Sequence, residues 1–228
     1  MPRLEELVSQ WPAGGLPMTL AQRTRRVYDH LAAVYPLSTM LFHSRAHRRA
    51  LARSGVRDGM NVLEAATGSG EMFRRLVKVN PSGATIGFDL SPNMAARTGR
   101  QAQRRFPAAR TLCQAVDACQ MPYRSETFDA AFCCYLLELL SGDDIARTLA
   151  EFHRVLRPGS RLTLVLIGQN TALFNSAYKM AGRLAPAFWG RQVERRVPEL
   201  IQSARFRLLE DHFVRQIYYP SRVLVAQK

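Results

Sequence analysis

The sequence predicts an α/β fold built on a mostly parallel sheet, with helices on both faces. Three observations predict it. Between residues 61 and 167, short apolar segments alternate with longer amphipathic ones, the rhythm of strands joined by crossover helices. The first apolar segment runs into a turn with two glycines, "NVLEAATGSGEM" at 61–72, as a parallel strand does where it hands over to a helix at a ligand-binding edge. A chain of 228 residues that is 47% hydrophobic buries one such core with small appendages.

The elements follow in order. Leu4, Leu7, Val8 and Trp11 recur at helical spacing, and the breakers Pro12, Gly14 and Gly15 close this short amphipathic segment. Val27, Tyr28, Leu31, Val34 and Tyr35 repeat at three and four, which predicts a helix over 22–35 that Pro36 stops. A second helix is expected over 38–54. Strands are expected at 61–65, 85–89, 110–115, 130–135 and 161–167, and helices at 70–79, 92–106 and 143–156. Beyond Ile167 a further helical region is interrupted near Pro186–Gly190 and resumes around 193–204. The tail "FRLLEDHFVRQIYYPSRVLVAQK" divides at Tyr219–Pro220 into two extended segments, an antiparallel pair closing the sheet edge. Residues 1–55 are expected to form a helical lid on the substrate side, and 56–228 a single globular unit.

Composition excludes several classes. No run of about 18 apolar residues exists, so no membrane-spanning helix is expected. The N-terminal "MPRLEELVSQWP" carries acids and no long apolar stretch, unlike a secretory signal. Cys113, Cys119, Cys133 and Cys134 lack metal-site spacing, and three of them fall in expected strands. They read as reduced thiols of a cytoplasmic protein. The net charge of +14 favours anionic partners. The arginines are spread over several helices, as in Arg48, Arg49 and Arg53 or Arg97, Arg100, Arg104 and Arg105, with no polybasic tail. Nucleic acid is therefore disfavoured. Solvated helix faces and peripheral attachment to an anionic membrane share the explanation. His43 and His47 share a helix face without a third ligand, and no metal is expected. His153 is expected on a surface helix face.

The glycine loop narrows the ligand. A dinucleotide loop reads G-x-G-x-x-G. Here Gly68 and Gly70 are present, but Phe73 stands where the third glycine belongs. Glu64 also sits on the strand before the loop, where it would repel a pyrophosphate. S-adenosylmethionine has no phosphate and carries a sulfonium and an ammonium, which suit an acidic strand end. The small residues Ala65, Ala66, Gly68 and Gly70 let backbone approach its methionyl part. Asp89, in "IGFDLSPNM", ends the second strand, where a carboxylate accepts from both ribose hydroxyls. Asp117, in "QAVDACQMP", follows the third and can accept from an adenine amino group beside the Ala118 backbone.

The ordered set "VLEAATGSG", "IGFDLSPNM", "AVDACQMPYRSETFDAAFCCYLLELL" and "EFHRVLRPGSRLTLVLIG" closely resembles class I S-adenosylmethionine-dependent methyltransferases. The resemblance covers about residues 25–168. Within that class it is similar to the ubiquinone/menaquinone-biosynthesis C-methyltransferases and the bacterial phospholipid N-methyltransferases. It implies a Rossmann-like, seven-stranded sheet with an antiparallel C-terminal edge and a helical N-terminal lid. It implies Glu64, Gly68 and Gly70 around the methionyl part, Asp89 on ribose with Leu90 and Met94 nearby, and Asp117 with Ala118 at adenine. Cys133 and Cys134 would bring backbone near the cofactor. Two departures stand out. Ala66 replaces the usual first glycine, which is tolerated if its backbone angle is negative, and "YLLELL" replaces an Arg-Asn pair after the fourth strand.

Methyl transfer from a sulfonium is an in-line displacement, in which the enzyme aligns the partners and excludes water. A dedicated base is optional. The candidates are Glu138, otherwise a helix-cap or surface residue, and Tyr28 and Tyr35 on the lid. Phe174, Tyr178, Met180, Leu184, Phe188 and Trp189 would wall an apolar acceptor site or pack as ordinary core. The expected substrate is a small lipophilic acceptor, a prenylated quinol or a lipid headgroup amine. A soluble aromatic natural product is the alternative, and an RNA substrate ranks below it.

Overall fold

The computed structural model describes residues 35–168, 193, 196–216 and 220–228, with 35–43 as backbone only. The expected helix over 22–34, Tyr28, and the aromatic residues from Phe174 to Trp189 lie outside the described residues.

Helix α1 spans Tyr35–Arg53. Pro36 lies in the first turn of this helix, where its missing N–H costs no bond, because first-turn N–H groups have no helical acceptor to lose. Then the strands and helices alternate: β1 Asn61–Ala65, α2 Glu71–Val79, β2 Ala84–Asp89, α3 Pro92–Arg105, β3 Arg110–Ala115 and β4 Phe128–Cys134. After one 3₁₀ turn at Leu137–Leu139 come α4 Gly142–Val155, β5 Leu156–Ile167, α5 Val197–Ser203, β6 Arg207–Val214 and β7 Ser221–Gln227.

The seven strands lie in the order β3-β2-β1-β4-β5-β7-β6. The first five in space run parallel, and β7 is antiparallel to both of its neighbours. The expected C-terminal antiparallel pair closes the sheet edge. β7 inserts between β5 and β6, so β6 forms the outer edge. From β1 the chain moves outward to β2 and β3, then returns to pair β4 on the opposite side of β1. That reversal opens a crevice at the strands' carboxyl ends, the place where such sheets bind ligands.

β1 serves both faces by alternation. Leu63 points into one core with Ile86, Phe128, Phe152 and Leu164. Val62 points into the other with Leu76, Phe132, Val165 and α1 residues Ala46 and Ala50. Three strands begin earlier than the sequence suggested: β2 at Ala84, β4 at Phe128 and β5 at Leu156. β5 starts at Leu156, which pairs with Phe128 across a register shift. The Arg157-Pro158-Gly159 stretch belongs to β5, with Gly159 at φ +79°. His153 is half-buried and not on an outward face; its ring stands edge-on to Phe206 at 5.3 Å.

Ser91 caps α3 by accepting from the Met94 amide, and Ser141 caps α4 by accepting from the Asp144 amide. Phe73 is fully buried and presses on Gly87 of β2. The close helix–sheet approach that a third loop glycine would give is supplied from the strand instead. A Cβ at Gly87 would stand 2.6 Å from Thr67 Cγ2 and 2.7 Å from the Phe73 ring. Gly87→Ala is therefore expected to destabilise by about 2 kcal/mol through overpacking, read as a lowered midpoint in thermal denaturation. Among the described residues no helix is long and apolar enough to cross a membrane.

Candidate cofactor site at the sheet reversal

The loop after β1 is a tight turn. The Gly70 amide donates to Thr67 O at 2.8 Å, and the Thr67 amide donates across to Phe88 O at 3.0 Å. Gly68 and Gly70 both have positive φ, +48° and +75°. So does Ala66, at +56°, which corrects the expectation of a negative angle. The loop keeps a glycine-type shape at this position without the glycine. A left-handed alanine carries steric strain of about 1 kcal/mol. Ala66→Gly is expected to raise stability by about 0.5 kcal/mol, since part of the relief is offset by the freer unfolded chain; the shift in Tm measures it.

Glu64, two residues before that alanine, is 1% exposed. Its Oε2 has no hydrogen-bond partner among the described residues. Burial, then the neighbouring Asp89 charge, pushes its carboxyl well above the ordinary range, only partly countered by Arg74. A lone buried carboxyl is costly unless something cationic meets it. Among the described residues the loop leaves room nearby: a Cβ built on Gly68 meets nothing closer than Ala66 O at 3.9 Å.

Asp89 binds the loop to its own strand end. Its Oδ2 accepts from the Gly68 amide at 2.9 Å, and its Oδ1 accepts from the Ser91 amide at 3.0 Å. Each carboxylate oxygen can accept further bonds. Asp89 O also accepts from the Val116 amide at 3.0 Å, which sets Asp117 beside it. Asp117 Oδ1 accepts from the Cys119 amide at 2.8 Å, and Ala118 is buried behind it. Leu90 is half-buried, while Met94 is buried on the first turn of α3. Cys133 pairs with Ala65 across β4 and β1, and Cys134 follows. Burial raises both thiols strongly, and that of Cys119 to about 11, so all three stay protonated at neutral pH.

Of the three candidate bases, Glu138 and Tyr35 fall among the described residues. Glu138 is buried, neither a surface residue nor a side-chain cap, and its Oε1 accepts from the Ile167 amide at 2.6 Å. It ties the exit of β4 to the end of β5. Tyr35 begins α1, and only its backbone is described.

The structure adds Tyr135 and Glu71, which the sequence reading did not single out, and gives His47 a setting. Tyr135, just past β4, holds φ +55°, a conformation rare for a bulky side chain and concentrated at functional sites. Its hydroxyl shares a 2.7 Å hydrogen bond with Ser221 of β7. The signal lay in "CCYLLELL", where a strand turns sharply without a glycine to make the turn. His47 Nδ1 lies 3.5 Å from Glu71, which opens α2, and its ring is 6.0 Å from that of Tyr135.

A family model described as "Methyltransferase domain" matches residues 62–159. The chain is 30% identical over 181 residues to the ubiquinone/menaquinone biosynthesis C-methyltransferase UbiE of Cellvibrio japonicus, covering 76% of this chain and 71% of that protein. It belongs to the class I S-adenosylmethionine-dependent methyltransferases. A 2-phytyl-1,4-naphtoquinone methyltransferase of Nostoc sp. is 28% identical over 151 residues, 64% of this chain and 65% of that protein. The UbiE of Desulfotalea psychrophila is 33% identical over 140 residues, 60% of this chain. The chain spans only 54% to 65% of the length of these two relatives. Among solved structures, the [4+2]-cyclase SpnF superposes with TM-score 0.76 at 17% identity, over 94% of this chain and 99% of that one. A geranyl diphosphate methyltransferase with bound S-adenosylmethionine gives 0.66 at 15% identity, over 81% and 84%. Both carry the same fold.

The family's cofactor suits the residues present. A buried Glu64 carboxyl whose Oε2 has no partner among the described residues, open backbone at Gly68, and carboxylates at the ends of β2 and β3 give an acidic, phosphate-repelling crevice. Such a crevice fits a cation with a ribose and an adenine attached.

Proposed function

We propose that this chain transfers a methyl group from S-adenosylmethionine to a small lipophilic acceptor, a prenylated quinol ring or a lipid headgroup amine. The observation that carries the reading is the buried Glu64 carboxyl near the strand end, whose Oε2 has no partner among the described residues. When bound, S-adenosylmethionine supplies an electrophilic methyl group. Glu64, Ala65, Ala66, Gly68 and Gly70 hold its methionyl part, with Glu64 answering the positive charge. Asp89 accepts from the ribose hydroxyls, flanked by Leu90 and Met94. Asp117 accepts from the adenine amine, and Ala118 contacts the ring through its backbone. Cys133 and Cys134 line the β4 side with backbone. Residues 1–55 act as the lid that excludes water from the reacting atoms.

The acceptor class is supported by the names of the relatives, two of which act in quinone biosynthesis or on a naphthoquinone. Mass spectrometry of lipid and quinone extracts from cells with and without the gene tests it. A deficit of one methyl in the quinone pool names a quinol acceptor, and the same deficit in headgroups names an amine. Identical extracts in both classes would reject a lipophilic acceptor.

A further inference from the structure

Helix α1 has two sharply different faces from residue 44 onward. Ala46, His47 and Ala50 are buried, while Arg45, Arg48, Arg49 and Arg53 are exposed. At 3.6 residues per turn those four arginines fall within an arc of about 140°, opposite the buried face. The helix contains no acidic residue. Arg53 meets Glu210 of β6 at 3.4 Å. Arg45, Arg48 and Arg49 have no acidic partner among the described residues. Like charges three and four apart on a helix repel one another. A purely solvated face usually interleaves acids to relieve this, and here none are interleaved.

The stripe also has a definite place. The buried His47, between Arg45 and Arg48, faces Glu71 and Tyr135 at the strands' carboxyl ends. Ser44 accepts from Arg75 of α2 at 2.9 Å. Arg53, at the other end, lies by Arg161 near the strands' opposite ends, where Arg161 donates to its carbonyl at 3.3 Å. The unpaired arginines thus flank the mouth of the candidate site.

We propose that Arg45, Arg48 and Arg49 dock this protein on an anionic phospholipid surface, with the mouth of the site beside the bilayer. Charge complementarity selects the occupant. A row of guanidiniums on a helix packed flat against its own sheet suits a planar array of phosphates, and each such residue near an anionic leaflet strengthens attachment about fivefold. A nucleic acid is the poorer match, because the one aromatic ring in residues 44–53, His47, is buried and none is exposed for base stacking. The benefit of docking, delivery of an acceptor that stays in lipid, rests on the lipophilic-acceptor reading; the docking itself does not.

The test is co-sedimentation of the full chain with two vesicle types, pure phosphatidylcholine and phosphatidylcholine mixed with phosphatidylglycerol. The expected result is binding to the mixed vesicles at low salt, none to pure phosphatidylcholine, and release at high salt. The triple variant Arg45→Gln, Arg48→Gln, Arg49→Gln is expected to bind on the order of a hundredfold more weakly. A second triple, Arg100→Gln, Arg104→Gln, Arg105→Gln, removes the same charge from the exposed face of α3 and is expected to stay within about threefold of the original. Equal losses in both triples, unaltered binding by the α1 triple, or no binding by the original chain would each overturn the proposal. So would a preference for duplex RNA over the mixed vesicles that the α1 triple abolishes. The α1 triple is expected to keep the circular dichroism spectrum and thermal midpoint of the original chain, because all three side chains are exposed. Failure of docking with intact turnover therefore leaves the methyl-transfer reading standing, and docking without turnover rejects that reading alone.

Discussion

Asp89→Ala is expected to weaken S-adenosylmethionine binding by at least about a hundredfold. The carboxylate is proposed to accept from two ribose hydroxyls, and hydrogen bonds to a charged group contribute about 1.5–3 kcal/mol each. The same carboxylate holds the Gly68 amide and the Ser91 amide. Its removal would release the glycine loop from the end of β2, so the remaining contacts would be poorly preorganised as well. Isothermal calorimetry on the folded variant, checked by circular dichroism, measures the effect. Unchanged affinity would remove Asp89 from the site and with it the proposed arrangement of the cofactor.

The second large effect concerns pH and Glu64. Its carboxyl is raised well above the ordinary range, chiefly by burial, so the folded, cofactor-free protein keeps a proton that the unfolded chain has already lost. In that window the unfolded state binds fewer protons, and stability falls as pH rises from the ordinary carboxyl range through the raised value. Glu64→Gln is expected to remove this fall, making the cofactor-free protein more stable at neutral and higher pH. The variant should nonetheless bind S-adenosylmethionine about tenfold or more weakly, because a neutral amide cannot answer a cation. Below the raised value, binding to the original protein should release a proton from Glu64. Calorimetry in buffers of different ionisation enthalpy detects that release, and the Gln variant should show none from this residue. Full affinity in the variant, with proton release unaltered, would show that Glu64 does not face the cofactor.

These residues could be picked from the sequence because they are chemically conspicuous. A glutamate inside "NVLEA" or an aspartate closing "ATIGFD" interrupts an apolar run that would otherwise be buried on both faces. The same contrast fixed β1 and β3, whose bounds match those read from the sequence. What remained hidden depends on backbone angles or on distant partners. Ala66 and Tyr135 take left-handed angles that nothing in their side chains announces. Glu138 looked like a surface or capping residue because its partner, the Ile167 amide, lies 29 positions away. The two C-terminal strands were legible as a pair, but sequence order carries no information about which of them takes the inner position.

That inner position has a consequence for how the protein is made. β6 touches the rest of the sheet only through β7, yet the ribosome delivers β6 first. Until Ser221–Gln227 emerges, the flank of β5 stays bare and the finished β6 has no strand to join. Nascent chains caught in this interval should be the ones that chaperones hold and proteases trim. β7, made after both of its neighbours, must therefore enter between them.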